Sequence, residues 1–315
     1  MTAILVLATG GLGSFVQMMG ALNAIRIQHR GDRITLLTAP ETADFAVASR
    51  LVDDVWQDAV PSIWDFTSLK QLRQRLRTAN FVRVYDLDGG PRGRFFFRLM
   101  YGWGGDARHA RAAWSSPGPD DAIKGRTAVH LVDRLEVQLL RAGIPEVPAN
   151  DLTWVARHVT SFRIPFRMNE PFVLFACDPA DNEAKSERSW PLEYWAALAD
   201  TVTEVRQIPV LVGLKPAPEI REVVASRASR VIDLTGRAAI TDLVFLAWAA
   251  KGAVGCDNGL MHLFAIAGCR AVVLYDGQAD PARRGQRGRD VSILRRATLA
   301  EIPAGEVAAT LQKRI

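Results

Sequence analysis

Short runs of aliphatic and β-branched residues alternate along this chain with longer segments whose apolar positions recur at helical spacing. Ile4 to Ala8 is the first run and predicts a buried strand. A glycine-rich turn, GGLGS at 10–14, follows it, and Phe15 to Gln28 reads as a largely buried helix. Arg33 to Thr38 predicts the next strand, Glu41 to Ser49 and Ile63 to Ala79 two helices, and Phe81 to Asp86 another strand. Within Ala128 to Ala142 the apolar residues Val129, Val132, Leu135 and Leu139 keep helical spacing.

Between 143 and 170 the alternation breaks, and Pro145, Pro148 and Pro165 punctuate the stretch, with Pro171 just beyond it. This reads as a linker and divides the chain into domains 1–155 and 156–315. The alternation then restarts. Strands are predicted at Phe172 to Ala176, Ile208 to Gly213, Val231 to Leu234, Ala253 to Gly255 and Arg270 to Tyr275. Helices are predicted at Leu192 to Glu204, Ala217 to Ala228, Ile240 to Ala250 and Gly259 to Ala267, with Pro303 opening a final one. Strands that alternate with helices imply parallel sheets covered on both faces. The expected class is therefore α/β, two doubly wound halves. Ligands of such sheets bind beyond the carboxyl ends of the strands, so two halves facing one another would enclose a cleft.

A length of 315 residues fits two domains of ordinary size, and 49% hydrophobic with 23% charged residues is a globular composition. The net charge of +5 is modest. The basic residues are spread out, with local groups at Lys70 to Arg77, Arg92 to Arg98 and Arg283 to Arg289. That distribution argues against nucleic acid as a partner and suits solvated faces, an anionic small substrate or, for one group, a peripheral membrane contact. Cys177, Cys256 and Cys269 form no CxxC pair and sit in apolar or glycine-rich stretches, so buried reduced thiols are expected. The N-terminus reads as a first strand and not as a signal peptide, and no apolar run is long enough to span a bilayer. A cytoplasmic location is the expectation.

Two segments carry candidate chemistry. The turn GGLGS places Gly13 and Ser14 at a helix start, where glycines let backbone N–H groups approach a ligand. A dinucleotide fingerprint would need a third glycine, where Val16 stands, and an acidic residue closing the second strand, where the chain reads LLTAPE. A tight packing turn is the simpler alternative. The second segment is GCDNGLMHLFAIAGCRAVVLYDG at 255–277. A short strand ends at Asp257, and Asn258, Gly259, Leu260 and Met261 open a helix whose free N–H groups suit a phosphate, with His262 as a further donor. Asp257 or Asn258 can equally serve as the helix N-cap, and capping is compatible with anion binding.

This second segment resembles the donor-site motif of glycosyltransferase family 9, the ADP-heptose:lipopolysaccharide heptosyltransferases and their relatives. The family pattern is Asp, Thr or Ser, Gly, Leu or Met, any residue, His; Asn258 stands here for the hydroxyl residue. ERSWPLEYWAALA at 187–199, ILVLATGGLGSFVQMMGALNAIR at 4–26 and YDLDGGPRGR at 85–94 resemble three other family segments, in the same order. The resemblance implies a GT-B fold, with an acceptor-binding domain first and a donor-binding domain second. It implies a metal-independent, inverting transfer of a heptose-like sugar from a nucleotide diphosphate sugar, with ADP-heptose as donor and no cofactor. The acceptor would be a saccharide or lipid-linked saccharide such as the lipopolysaccharide core, met at the inner face of the inner membrane. Arg188 would neutralise the diphosphate, Asp257 to His262 would hold the phosphates and sugar, and Glu219 would hold the nucleoside ribose. Arg92 and Arg94 would meet acidic groups of the acceptor.

One departure bears on mechanism. The family's N-terminal turn reads Gly-Asp, and that aspartate is its proposed general base; here Gly13 is followed by Ser14. A serine hydroxyl positions groups but does not accept a proton near neutral pH. Asp86 and Asp88 follow a strand whose end should lie at the site, so Asp88 is the substitute base to consider. The alternative is a catalytically degenerate member that binds a nucleotide or glycan. An epimerase on the same fold is a third reading.

Overall fold

The computed structural model describes residues 1–58, 66–102, 112–116, 129–158, 169–178 and 189–313. The chain divides into two compact units, Met1–Asn150 and Asp151–Ile315. A 3₁₀ turn at Thr153–Arg157 goes with the second unit, because it packs on that unit's helix Ile240–Ala249.

The first unit is a parallel five-stranded sheet. Its strands are β1 (Ala3–Ala8), β2 (Arg33–Thr38), β3 (Asp54–Gln57), β4 (Arg83–Asp86) and β5 (Ala113–Ser115), in the order β3-β2-β1-β4-β5. β1 is fully buried from Ile4 on, as a continuous apolar run in a two-sided parallel sheet should be. The predicted helix after the glycine turn is two helices, α1 (Leu12–Gln17) and α2 (Met19–Gln28), and it begins inside the turn and not after it. α3 (Pro40–Ser49) and α4 (Phe66–Thr78) follow as expected, although 63–65 lie outside the described residues. β3, β5 and the helix α5 (Pro91–Tyr101) were not legible: β3 and β5 are short, partly exposed edge strands, and α5 begins on a Gly-Gly-Pro turn and carries three arginines. α6 is Leu131–Arg141.

α4 and α5 cover one face of the sheet. Leu76 from α4 and Phe96 and Met100 from α5 join Leu5, Leu7 and Val84 in one core cluster. The start of α5 depends on close approach to the end of β4. Gly93 lies in its first turn, and a Cβ there would run into the Asp86 carboxylate.

The second unit is a parallel six-stranded sheet. β6 (Phe172–Ala176), β7 (Ile208–Val212), β8 (Ile232–Asp233), β9 (Gly252–Cys256), β10 (Ala271–Tyr275) and β11 (Val291–Arg295) lie in the order β11-β10-β9-β6-β7-β8. Only β11, a partly exposed edge strand, was not foreseen among these. The helices are α7 (Leu192–Glu204), α8 (Pro218–Arg227), α9 (Ile240–Ala249), α10 (Gly259–Ile266), the short α11 (Pro281–Arg284) and α12 (Ala304–Gln312). The core joins Trp190, Trp195, Val224 and Val307 to the inward residues of β6 and β9. No helix among the described residues is long and apolar enough to cross a membrane.

In each sheet the chain winds outward in both directions from a central pair, β1 with β4 and β6 with β9. These are the points where loops diverge to opposite faces and leave a crevice beyond the strand ends. Replacing Gly93 with Ala should therefore destabilise the first unit by about 1 to 3 kcal/mol, since the buried carboxylate has nowhere to retreat; urea denaturation of the two proteins checks this.

Candidate active site

The crevice of the second unit is built at the ends of β6 and β9. Asp257 follows β9, and Asn258 caps α10: its Oδ1 accepts the Met261 N–H at 3.2 Å. The same side chain donates from Nδ2 to the Asp178 carbonyl at 2.8 Å, which ties the helix start to the loop after β6. Asn258 is thus the N-cap, and the N–H groups of Gly259 and Leu260 have no intrahelical acceptor. The cap is neutral, so the positive end of the helix dipole keeps its field. Leu260 and Met261 are fully buried, with Met261 sulfur packed against Gly255. Only their backbone is available to a ligand.

Next to this helix start lies a cavity of about 540 Å³, lined by Asp178, Trp190, Trp195, Glu219 and Cys256 among others. Glu219 stands exposed in the first turn of α8, whose N1 position is Pro218. Trp190 is rigid: its indole N–H donates to the Ile302 carbonyl at 2.9 Å, and its ring meets Trp195 edge-on at 4.9 Å. Arg188, expected to face a diphosphate, lies outside the described residues. All three cysteines are buried free thiols; burial pushes Cys256 and Cys269 up to about 12 and Cys177 higher still.

Asp257 and His262 are joined through Gln286, which carried no signal in the sequence, and Tyr275 completes the cluster. Tyr275 Oη and Gln286 Nε2 both contact Asp257 Oδ1, at 2.7 and 2.8 Å. Gln286 Nε2 also lies 3.2 Å from His262 Nε2. Gln286 sits in the arginine-rich stretch RRGQRGR, which looked like a solvated loop, yet the residue is 5% exposed. A buried polar residue in a charged loop has no periodicity to betray it.

In the crevice of the first unit, carboxylates bond the backbone of the glycine turn. Asp88 accepts the N–H of Thr9 at 2.5 Å, the Thr9 hydroxyl at 2.8 Å and the N–H of Gly10 at 3.2 Å. Glu41 accepts the Leu12 N–H at 3.1 Å. The amides of Thr9, Gly10 and Leu12 are therefore already occupied by carboxylates of the chain itself. Gly13 is buried inside α1, where its carbonyl accepts from Gln17 at 2.9 Å.

Ser14 and Asp88 come together here. A Cβ built on Gly10 would lie 3.2 Å from Ser14 Oγ and 3.4 Å from Asp88 Oδ1, so glycine leaves a notch with both oxygens on its walls. Asp86 plays a different part. It is 2% exposed, accepts the Gly89 N–H at 2.9 Å and lies under the first turn of α5. Burial pushes its carboxyl up to about 6, and burial likewise raises Asp88. Arg92 forks onto the buried carboxylate of Asp58 and stacks over Phe95 and Phe96, so it braces α5. Arg94 is exposed on the same helix.

Two parallel α/β units, one with a capped helix start beside a cavity and one with a carboxylate-lined crevice, make up a fold of the GT-B kind. Residues 69–312 match the family model of glycosyltransferase family 9 (heptosyltransferase), and the chain belongs to that family. Its fold is similar to E. coli heptosyltransferase WaaC, solved with ADP, at a TM-score of 0.74 and 18% identity over 99% of both chains. It is similar to the E. coli ADP-heptose lipopolysaccharide heptosyltransferase II at 0.72 and 17%, over 99% of this chain and 97% of that one. The family 9 glycosyl transferase of Veillonella parvula gives 0.71 and 16%, over 100% and 90%. No curated protein sequence matches the chain.

The Asp86 carboxyl gives a pH test of the first crevice. Its folded value, about 6, exceeds the ordinary 3.8, so the folded state holds the proton longer and loses stability as pH rises between those values. Asp86→Asn removes that loss. Its stability relative to wild type should climb from acid to about pH 6 by up to about 3 kcal/mol and then level off, as read by urea denaturation across that range.

Proposed function

We propose that the protein transfers a heptose-like sugar, with inversion and without a metal, from a nucleotide diphosphate sugar to a saccharide or lipid-linked acceptor. The observation that carries this is the neutral cap of α10. It leaves the Gly259 and Leu260 amides at a helix start beside a cavity whose rim carries Glu219. The diphosphate takes the helix start, Glu219 takes ribose hydroxyls, and Arg188 supplies a further donor to the leaving group, with His262 acting through Gln286. ADP is the nucleotide favoured, because the WaaC structure similar to this chain was solved with it. The lipopolysaccharide core is the acceptor favoured, on family membership.

The first unit takes the acceptor. Its crevice offers carboxylates and a hydroxyl, which suits a sugar alcohol. Asp88 is the base: Oδ2 holds the turn through Thr9, and Oδ1, which accepts the Gly10 N–H, also faces the notch it shares with Ser14. The raised carboxyl is the better proton acceptor for it. Ser14 orients the attacking hydroxyl. Arg94 and Arg98 on α5 and Lys70, Arg73 and Arg77 on α4 are exposed on the two helices that cover this face of the sheet, and neither helix carries an acidic residue. That face suits phosphates of a lipid-linked acceptor and peripheral contact with the inner face of a membrane.

ADP at about 100 times its dissociation constant should raise stability by about 2.7 kcal/mol, with or without magnesium. A thermal-shift panel of ADP, UDP, GDP and TDP reads this; no shift with any of them would remove the donor site. Asp88→Asn should lower the rate of ADP release from ADP-heptose, with a heptose-deficient core acceptor, by about 100- to 10,000-fold while ADP affinity stays unchanged. Ser14 supports a second reading, a degenerate member of the family. An unaltered rate in Asp88→Asn with a clear gain in Ser14→Asp would favour it.

A further inference from the structure

Around Asp257 three polar groups close a ring. Tyr275 Oη lies 2.7 Å from Asp257 Oδ1 and 2.8 Å from Gln286 Oε1, and Gln286 Nε2 lies 2.8 Å from the same Asp257 oxygen. Tyr275 and Gln286 are buried, and the Asp257 side chain is 19% exposed. Each of these contacts needs one hydrogen between its heavy atoms. The phenol brings one. The amide brings one to the ring, while its second faces His262 Nε2. An ionised Asp257 brings none. The single phenol hydrogen would then have to serve both the carboxylate and the amide oxygen. Turning the Gln286 amide over does not help, because its oxygen then faces Asp257 Oδ1 and the hydrogen count is the same.

A proton on Asp257 Oδ1 closes the ring. Asp257 donates to Tyr275, Tyr275 donates to the Gln286 oxygen, and the Gln286 nitrogen donates back to Asp257 and also to His262. Hydrogen bonds running one way round a ring strengthen one another. We infer that Asp257 is a neutral carboxylic acid in the working protein, with Tyr275 and Gln286 as positioning residues. A nucleotide diphosphate then meets a hydrogen-bonded carboxyl at the start of α10 and not a second anion. The part concerning diphosphate rests on the donor-site reading above.

The charged and titratable neighbours fit this state. Arg284 and Asp276 act on Asp257 with opposite signs, and the adjacent Cys256 thiol stays neutral. His262, with Nε2 3.8 Å from Asp257 Oδ1, accepts from Gln286 in this arrangement and is neutral with its hydrogen on Nδ1. Burial raises the Asp257 carboxyl above its ordinary value against the pull of Arg284 and the hydrogen bonds.

Two measurements test the inference. The first is isotope-edited infrared spectroscopy of the ligand-free protein, labelled at aspartate carboxyl carbons. At neutral pH the wild type should show a carboxylic acid C=O stretch that Asp257→Asn lacks, converting to a carboxylate band at higher pH. Tyr275→Phe, which should shift the same band, serves if Asp257→Asn does not fold. The second is ADP affinity by calorimetry from about pH 6 to about pH 9. Above the midpoint of the band, wild-type ADP affinity should fall by up to about tenfold per pH unit, whereas the affinity of Asp257→Asn, whatever its value at neutral pH, should show no such fall over the same range. A carboxylate band at neutral pH, or parallel affinity curves for the two proteins, overturns the inference. Absence of ADP binding in both proteins overturns the donor-site reading instead, and the infrared band still decides the protonation state.

Discussion

Everything that distinguishes the two halves of this protein follows from what occupies the backbone amides at the divergence point of each parallel sheet. Parallel strands send their carboxyl ends the same way, and the helix that follows a central strand brings unsatisfied N–H groups to that edge. Such amides need a partner, and the partner sets the charge of the crevice. In the first unit Asp88 and Glu41 fill the amides of Thr9, Gly10 and Leu12 with carboxylates. In the second unit the neutral Asn258 fills only Met261, and the helix field stays open. On the function proposed here, the same architecture serves an acceptor in one crevice and a phosphate in the other.

Both crevices depend on burial away from the chemistry. Leu260, Met261 and Phe264 anchor α10 in the core, so its first turn is held where Asn258 can reach both Met261 and Asp178. On the other unit Asp58 holds Arg92, and Asp86 lies beneath Gly93, which fixes α5 against the end of β4. Asp88, two residues beyond Asp86, is thereby delivered to the turn after β1. The catalytic carboxylate proposed here stands on a loop whose geometry is set by a buried one.

The protonated ring at Asp257 extends the same logic. A carboxyl placed at a helix start would normally be the anion that the helix binds. Sharing its oxygen with Tyr275 and Gln286 turns it into part of a neutral network, which leaves the helix field for a ligand. In the proposed ring the network also sets the tautomer of His262, and it draws its side chains from α10, β10 and the loop after α11 together.

Periodicity and punctuation in the sequence were enough for most of the architecture. Buried parallel strands such as β1, β6 and β10 are continuous apolar runs, and α7 and α10 begin beside proline, asparagine or glycine signals that act locally. The motif at 257–262 is also local, so its place at a helix start was readable, as was the substitution at Ser14. The edge strands β3, β5 and β11 were hidden because partial exposure dilutes their pattern, and α5 because its arginines and glycines mimic a loop. What only the tertiary structure decided was pairing across distance. The contact of Asp88 with Thr9 spans 79 positions and that of Trp190 with Ile302 spans 112, and Gln286 reaches Asp257 from a loop that reads as solvent-exposed. Local propensity is written in neighbouring residues, whereas the partner of a buried polar group is chosen by how the sheets bring remote loops together.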